Sequence, residues 1–126
     1  MANKRKMLVI ENDPDWQNII ADIVGDSFKI IQALDPINAI KLYESNPDVT
    51  IVLMAGYLFE DNEEDDTTPL TELIREKFSG IMIAISSSKH MNNKLLKAGC
   101  NYFCAKDYPF DLGALIQKLF DDGEFL

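Results

Sequence analysis

The chain has 126 residues, of which 47% are hydrophobic and 26% charged, and its formal net charge is −9. That length fits one domain with a core of its own, needing neither disulfides nor metals. The acidity speaks against nucleic acid as a partner of this domain alone, and no apolar run approaches the roughly 18 residues that span a bilayer. The basic start, Lys4-Arg5-Lys6, leads into no signal-peptide core, because Glu11 and Asp13 interrupt the run that begins at Met7. A cytoplasmic location is expected. Cys100 and Cys104 are expected to be reduced, since four residues along a strand span roughly 13 Å, too far to bridge.

Residues 7–10 form a short apolar run, and Asp13-Pro14 then has the pattern of a helix cap followed by proline. Trp16, Ile19, Ile20, Ile23 and Val24 repeat at helical spacing up to Gly25. Residues 28–31 suggest a second strand, and Asp35-Pro36 opens a second helix with Ile37, Ile40 and Tyr43 on one face. Residues 49–54 are almost uninterruptedly apolar, the mark of a strand covered on both sides. Residues 55–68 have no period, and Thr68-Pro69 starts a third helix whose buried side is expected to carry Leu70, Leu73, Ile74 and Phe78. Residues 81–85 are a fourth strand. Met91, Leu95 and Leu96 outline a fourth helix up to Gly99, residues 102–105 a fifth strand, and Leu112, Leu115, Ile116, Leu119 and Phe120 a last helix.

Five strands alternating with five helices imply a doubly wound, five-stranded parallel sheet with three α/β/α layers in the flavodoxin-like order 2-1-3-4-5. Residues 1–126 are expected to be one domain, with no internal repeat and no attached output domain. In such sheets function sits at the carboxyl ends of the strands. Those ends carry Glu11, Asn12 and Asp13, then Leu53, then Ser86 and Ser87, then Lys106.

Four runs in order now carry a family likeness: Leu8-Val-Ile-Glu-Asn-Asp-Pro14, Pro47-Asp-Val-Thr-Ile-Val52, Ala84-Ile-Ser-Ser87 and Ala98-Gly-Cys-Asn-Tyr-Phe-Cys-Ala-Lys106. Together they resemble the receiver (CheY-like) domain of bacterial response regulators along essentially the whole chain. The resemblance implies that Glu11 and Asn12 match the family's two Mg²⁺-holding acids, Ser86 its hydroxyl residue, Phe103 its switch aromatic and Lys106 its lysine. Leu53 matches the phosphoacceptor aspartate. Leucine has no nucleophilic atom, and Val52, Met54, Ala55 and Gly56 are equally unreactive, while Asp48 lies at the wrong end of the strand. Glu11 with a neutral Asn12 is expected to bind Mg²⁺ weakly or not at all. Phe103 is expected in the core, and Lys106 in an ion pair with Glu11. The two residues inserted after Lys106, Asp107 and Tyr108, imply a rebuilt bend before the last helix.

The expected function is therefore that of a pseudo-receiver, not an enzyme, that signals by binding a protein. The partner would be a signalling protein, kinase or regulator, or a second copy of the chain. The family's usual docking surface corresponds here to Lys89, His90, Lys94, Lys97, Tyr102, Leu112 and Leu115. One alternative is a working phosphorelay receiver whose acceptor lies in the acidic loop that carries Glu60, Asp61, Glu63, Glu64, Asp65 and Asp66. That loop reads as solvated, with two further readings: a carboxylate folded over the pocket, or a cation site lacking the glycine and spacing of a calcium loop. Tyr57, Leu58 and Phe59 before it form either an exposed patch or core. A second alternative, a flavodoxin-like small-ligand binder, lacks a glycine-rich phosphate loop after the first strand.

Overall fold

The computed structural model describes residues 4–58 and 66–124. Phe59 and the acidic residues Glu60, Asp61, Glu63, Glu64 and Asp65 lie outside the described residues, and so do the readings that rest on them. The elements run β1 (Arg5–Ile10), α1 (Pro14–Val24), β2 (Phe28–Ala33), α2 (Pro36–Ser45), β3 (Val49–Ala55), α3 (Thr68–Arg75), β4 (Ile81–Ser86), α4 (Lys89–Ala98), β5 (Tyr102–Ala105) and α5 (Phe110–Asp121). The strands pair in parallel in the order β2-β1-β3-β4-β5, as the alternation requires. Among the described residues no helix is long and apolar enough to cross a membrane.

The helix starts follow from their caps. Asp13 accepts a hydrogen bond from the Asp15 amide at 2.9 Å, Asp35 from Asn38 at 2.8 Å, and Ser88 from Met91 at 3.1 Å. Each satisfies a backbone donor that the helix cannot, and proline at the first position of α1 and α2 has none to lose. Successive residues of each central strand then point to opposite faces. Leu8, Ile10, Val52, Met54, Met82 and Ala84 pack under α2, α3 and α4 with Ala39, Leu70, Ile74, Met91 and Leu95. Met7, Val9, Ile51, Leu53, Ile83 and Ile85 pack under α1 and α5 with Ile20, Val24, Leu112, Ile116 and Leu119.

Three residues expected on buried faces are outside. Ile19, Ile37 and Leu73 are 38%, 68% and 49% exposed. The buried stripe of α1 runs through Gln17, Ile20 and Val24, which turns Ile19 away from the sheet. That of α3 runs through Leu70, Thr71 and Ile74, and Leu73 lies about one residue's rotation off it. In α2 only Ala39 is fully buried, so its stripe is narrower than the spacing of Ile37, Ile40 and Tyr43 implies. Phe78 is buried as expected but lies beyond the end of α3. Leu58 is buried and Tyr57 half-buried against the same core, so neither belongs to an exposed patch. Cys100 and Cys104 are free and sit on opposite faces of the sheet. Burial pushes their thiols up to about 12 and about 11, which makes them inert.

At the amino ends of β4 and β5 one side chain holds three connections together. Arg75 donates to the carbonyls of Gly99 (2.9 Å), Phe78 (2.7 Å) and Gly80 (2.9 Å), and to Asn101 Oδ1 (2.8 Å), which also accepts from the Met82 amide at 2.9 Å. Gly99 sits at φ +139°, and a Cβ there would meet Arg75 Cγ at 2.8 Å. Arg75→Ala is expected to cost about 2–4 kcal/mol by urea unfolding, because several carbonyls lose their donor together. Gly99→Ala is expected to cost about 1–3 kcal/mol from the backbone conformation alone. An unchanged midpoint in either variant would show that this junction is not a structural anchor.

Candidate functional site

The carboxyl ends of the strands enclose a cleft of about 330 Å³, walled by Trp16 and Tyr57, floored by Gly56 and Ser86, and edged by Asn12 and Lys106. Its geometry begins with Glu11, buried at the end of β1. The Glu11 amide donates to the Ala33 carbonyl at 3.0 Å, which fixes the backbone. Glu11 Oε2 accepts from the Asp13 amide at 3.1 Å, and Oε1 receives the Lys106 ammonium. That ammonium also lies 4.9 Å from the centre of the Trp16 ring, a favourable cation–aromatic contact. The expected pair between Lys106 and Glu11 is therefore present.

Ser86 is buried, and its hydroxyl accepts from the Ser88 amide at 3.1 Å, while its carbonyl accepts from the Lys106 amide at 3.1 Å and Asn92 Nδ2 at 3.0 Å. Ser86 thus anchors the start of α4 while lining the cleft. Gly56 is required for this closeness: a Cβ there would lie 2.5 Å from Met91 Cγ.

Leu53 occupies a different place from the one expected. It is fully buried under α1 and α5 and does not line the cleft. β1 and β3 pair with a register shift: Lys6 faces Val49, but Met7 faces Ile51. Thr50 is the extra residue, and Leu53 lies level with Val9 on β1 and with Ile83 on β4, three residues short of Ser86. The residues that follow it, Met54, Ala55 and Gly56, have no carboxylate either.

Mg²⁺ does not fit the donors that remain. Both carboxylate oxygens of Glu11 already have partners, one of them an ammonium, Asn12 supplies only a neutral amide, and Asp13, which also lines the cleft, is engaged through Oδ1 in capping α1. Among the described residues no group of three or more His, Cys, Asp or Glu side chains is placed to hold a metal.

Phe103 is 47% exposed, not in the core. It lies on the edge strand β5 and points away from the face on which its neighbour Cys104 is buried. The residues expected on one docking surface are divided. Lys89, His90 and Lys97 are exposed on α4, and Lys94 pairs with Asp66. Leu112 is fully buried and Leu115 and Tyr102 pack partly against the core under α1 and α5, so Leu112 is unavailable to a partner. It belongs to the inward stripe of α5 with Ile116 and Leu119. After Lys106 the Tyr108 amide closes a turn on the Ala105 carbonyl at 3.1 Å, and Tyr108 and Phe110 are largely exposed.

Two polar residues unremarked in the sequence shape the site. Gln17 is buried on α1, and its amide donates to the carbonyls of Val9 and Glu11 at 3.0 Å and of Ala33 at 3.2 Å. It ties α1 to the ends of β1 and β2 and so positions Glu11. Asn92 does the same for Ser86 from α4. The only signal available was a polar residue at an inward position of each helix, Gln17 one turn before Ile20 and Asn92 beside Met91.

Removing one partner of the buried pair leaves the other charge uncompensated. Glu11→Gln and Lys106→Met are each expected to cost about 3–5 kcal/mol by urea unfolding. The double variant should recover at least half of the summed loss. Strict additivity of the two losses would show that the pair is not coupled.

Asp66 forms a second latch. Its Oδ1 accepts from the Thr68 amide at 2.9 Å and its Oδ2 meets Lys94, while its backbone bridges Tyr57. Burial raises the Asp66 carboxyl, but Lys94 and Thr68 more than offset this and hold it below the ordinary aspartate value of 3.8. Asp66 holds Lys94 above its ordinary value in turn. A lowered carboxyl contributes stability above its unfolded pKa and loses it as pH falls through the folded one. The stability difference between the wild type and Asp66→Asn should therefore be greatest near neutral pH and shrink as pH falls below 3.8 through the lowered pKa of the folded carboxyl. A difference in urea midpoint that is flat across that interval would mean Asp66 is not ionically latched.

No protein-family model and no curated protein matches this chain. Solved structures do. A two-component response regulator from Clostridium difficile superposes with a TM-score of 0.77 at 19% identity, covering 92% of this chain and 93% of that one. The receiver domain of NtrX from Brucella abortus gives 0.76 at 18%, covering 90% and 95%. The CheY4 chemotaxis protein of Vibrio cholerae gives 0.76 at 10%, covering 92% and 98%. At these identities the likeness is one of fold: the chain has the CheY-like α/β architecture of these receiver proteins.

Proposed function

We propose that this chain is a receiver-like signalling domain that acts by docking a protein, without phosphoryl transfer. The receiver-type fold, shared with proteins described as two-component response regulators, supports the signalling role. The observation that carries the rest is strand β3. From Val49 to Gly56 there is no carboxylate, and Leu53 is shut in the core. Phosphoryl transfer to a receiver needs a nucleophile, with a metal and a lysine neutralising the charge. Here the nucleophile is absent, and the lysine and the first-strand acid already neutralise each other. Glu11, Asn12, Ser86 and Lys106 are accordingly read as a degenerate pocket whose charges serve the fold. The exposed residues of α4, with Phe103 beside them, are the candidate docking surface. A protein partner, or a second copy of the chain, is the occupant that this reading calls for.

The test is intact-protein mass after incubation with acetyl phosphate and excess Mg²⁺, with an aspartate-bearing receiver as positive control. No phosphoryl adduct is expected, and Mg²⁺ alone should leave the thermal midpoint unchanged. A single phosphoryl adduct would sink the reading in favour of a phosphorelay receiver, and mapping it would identify the acceptor.

A further inference from the structure

Helix α4 is chemically unlike the rest of the chain. The chain has 21 acidic and 12 Lys or Arg residues, yet Lys89–Ala98 contains Lys89, His90, Lys94 and Lys97 and no acid. Lys89, His90 and Lys97 are exposed. Among the described residues none of the three makes a hydrogen bond or ion pair. Spacings of four and three residues put His90, Lys94 and Lys97 on one stripe of the helix.

That stripe borders a groove of about 230 Å³ between α3 and α4, with Lys94 and Lys97 on one wall and Thr68 and Glu72 on the other. One carboxylate is already held at this place. Asp66 has one oxygen on the Thr68 amide, at the amino end of α3, and the other on Lys94. The chain thus displays, within itself, the group that the groove accepts.

We propose that the groove between α3 and α4 receives a carboxylate-rich segment of a partner protein, and that Asp66 competes with that segment for Lys94. The proposal rests on the docking reading above and names the partner's chemistry and its point of entry. Charge decides the chemistry. Lys97 is an uncommitted cation one turn beyond Lys94, and Lys89 and His90 extend the positive surface along the helix. Glu72 opposes an anion on the α3 wall, so the incoming carboxylates must follow α4. Lys94 is 41% exposed while Asp66 is only 9% exposed, so an incoming carboxylate reaches Lys94 from its open side and shares the ammonium with Asp66.

The test uses the full chain and a fluorescein-labelled octaglutamate peptide, followed by anisotropy at low salt. Asp66→Asn should tighten binding about threefold and Lys97→Glu weaken it about threefold, the scale of one exposed pair. Controls with the same change of net charge at exposed sites elsewhere, Asp26→Asn and Lys29→Glu, should leave Kd within about twofold. Circular dichroism establishes that each variant is folded. The proposal is overturned if the peptide does not bind, or if the controls shift Kd as much as the groove variants do. It is also overturned if a single-stranded oligonucleotide binds more tightly than the peptide and is lost in Lys97→Glu. Failure of this test in a chain that takes up no phosphoryl group would remove the groove and leave the docking reading in place. A phosphoryl adduct would remove the docking reading itself.

Discussion

One ion pair organises the functional end of this molecule. Lys106 leaves the edge strand β5 and reaches across the ends of β4 and β3 to Glu11 on β1. An ammonium and a carboxylate withdrawn from water must find each other or neutralise. These two do so under the Trp16 ring, with Gln17 fixing the Glu11 backbone beneath them. In this structure the two charges balance each other, and Glu11 Oε2 takes a second hydrogen bond from the Asp13 amide.

The same logic connects the pocket to the surface. Ser86 and Asn92 lock the amino end of α4 to the end of β4, and Gly56 lets Met91 come close from above. The helix that carries the free cations is thereby anchored to the floor of the cleft. Its far wall is held by Asp66, whose backbone is stitched to Tyr57 and whose neighbour Thr67 donates to the Ala55 carbonyl at 2.6 Å. The cleft and the basic helix are thus joined through shared hydrogen bonds.

Much of this was legible in the sequence because it rests on local chemistry. Asp13-Pro14 and Asp35-Pro36 announce helix starts, and the unbroken apolar runs of β3 and β4 announce strands covered on both faces. The Glu11–Lys106 pair was legible from electrostatics, since a partly buried lysine without its usual aspartate needs another partner. What was not legible is rotational or long-range. Leu53 lies level with Ile83, inside the sheet and not at its rim, and no local pattern marks that register or the one-residue bulge at Thr50. The burial of Gln17 depends on three carbonyls gathered from two strands. Leu112 and Lys94 look alike as candidates for a surface until tertiary packing buries one and pairs the other.

The division of the helices between the two faces of the sheet has a consequence for how the chain is made. The layer under α1 is closed by α5, so residues from opposite ends of the chain meet over Met7, Val9 and Leu53. The opposite layer is built from α2, α3 and α4, which are consecutive. Contacts of large sequence separation form late, because the loop they close must first be paid for in entropy. During synthesis the α2–α3–α4 layer can assemble while the ribosome still holds α5, with the other side of the sheet covered by α1 alone. The apolar residues that Leu112, Ile116 and Leu119 cover are therefore the last part of the core to be closed, once the residues after Lys106 emerge.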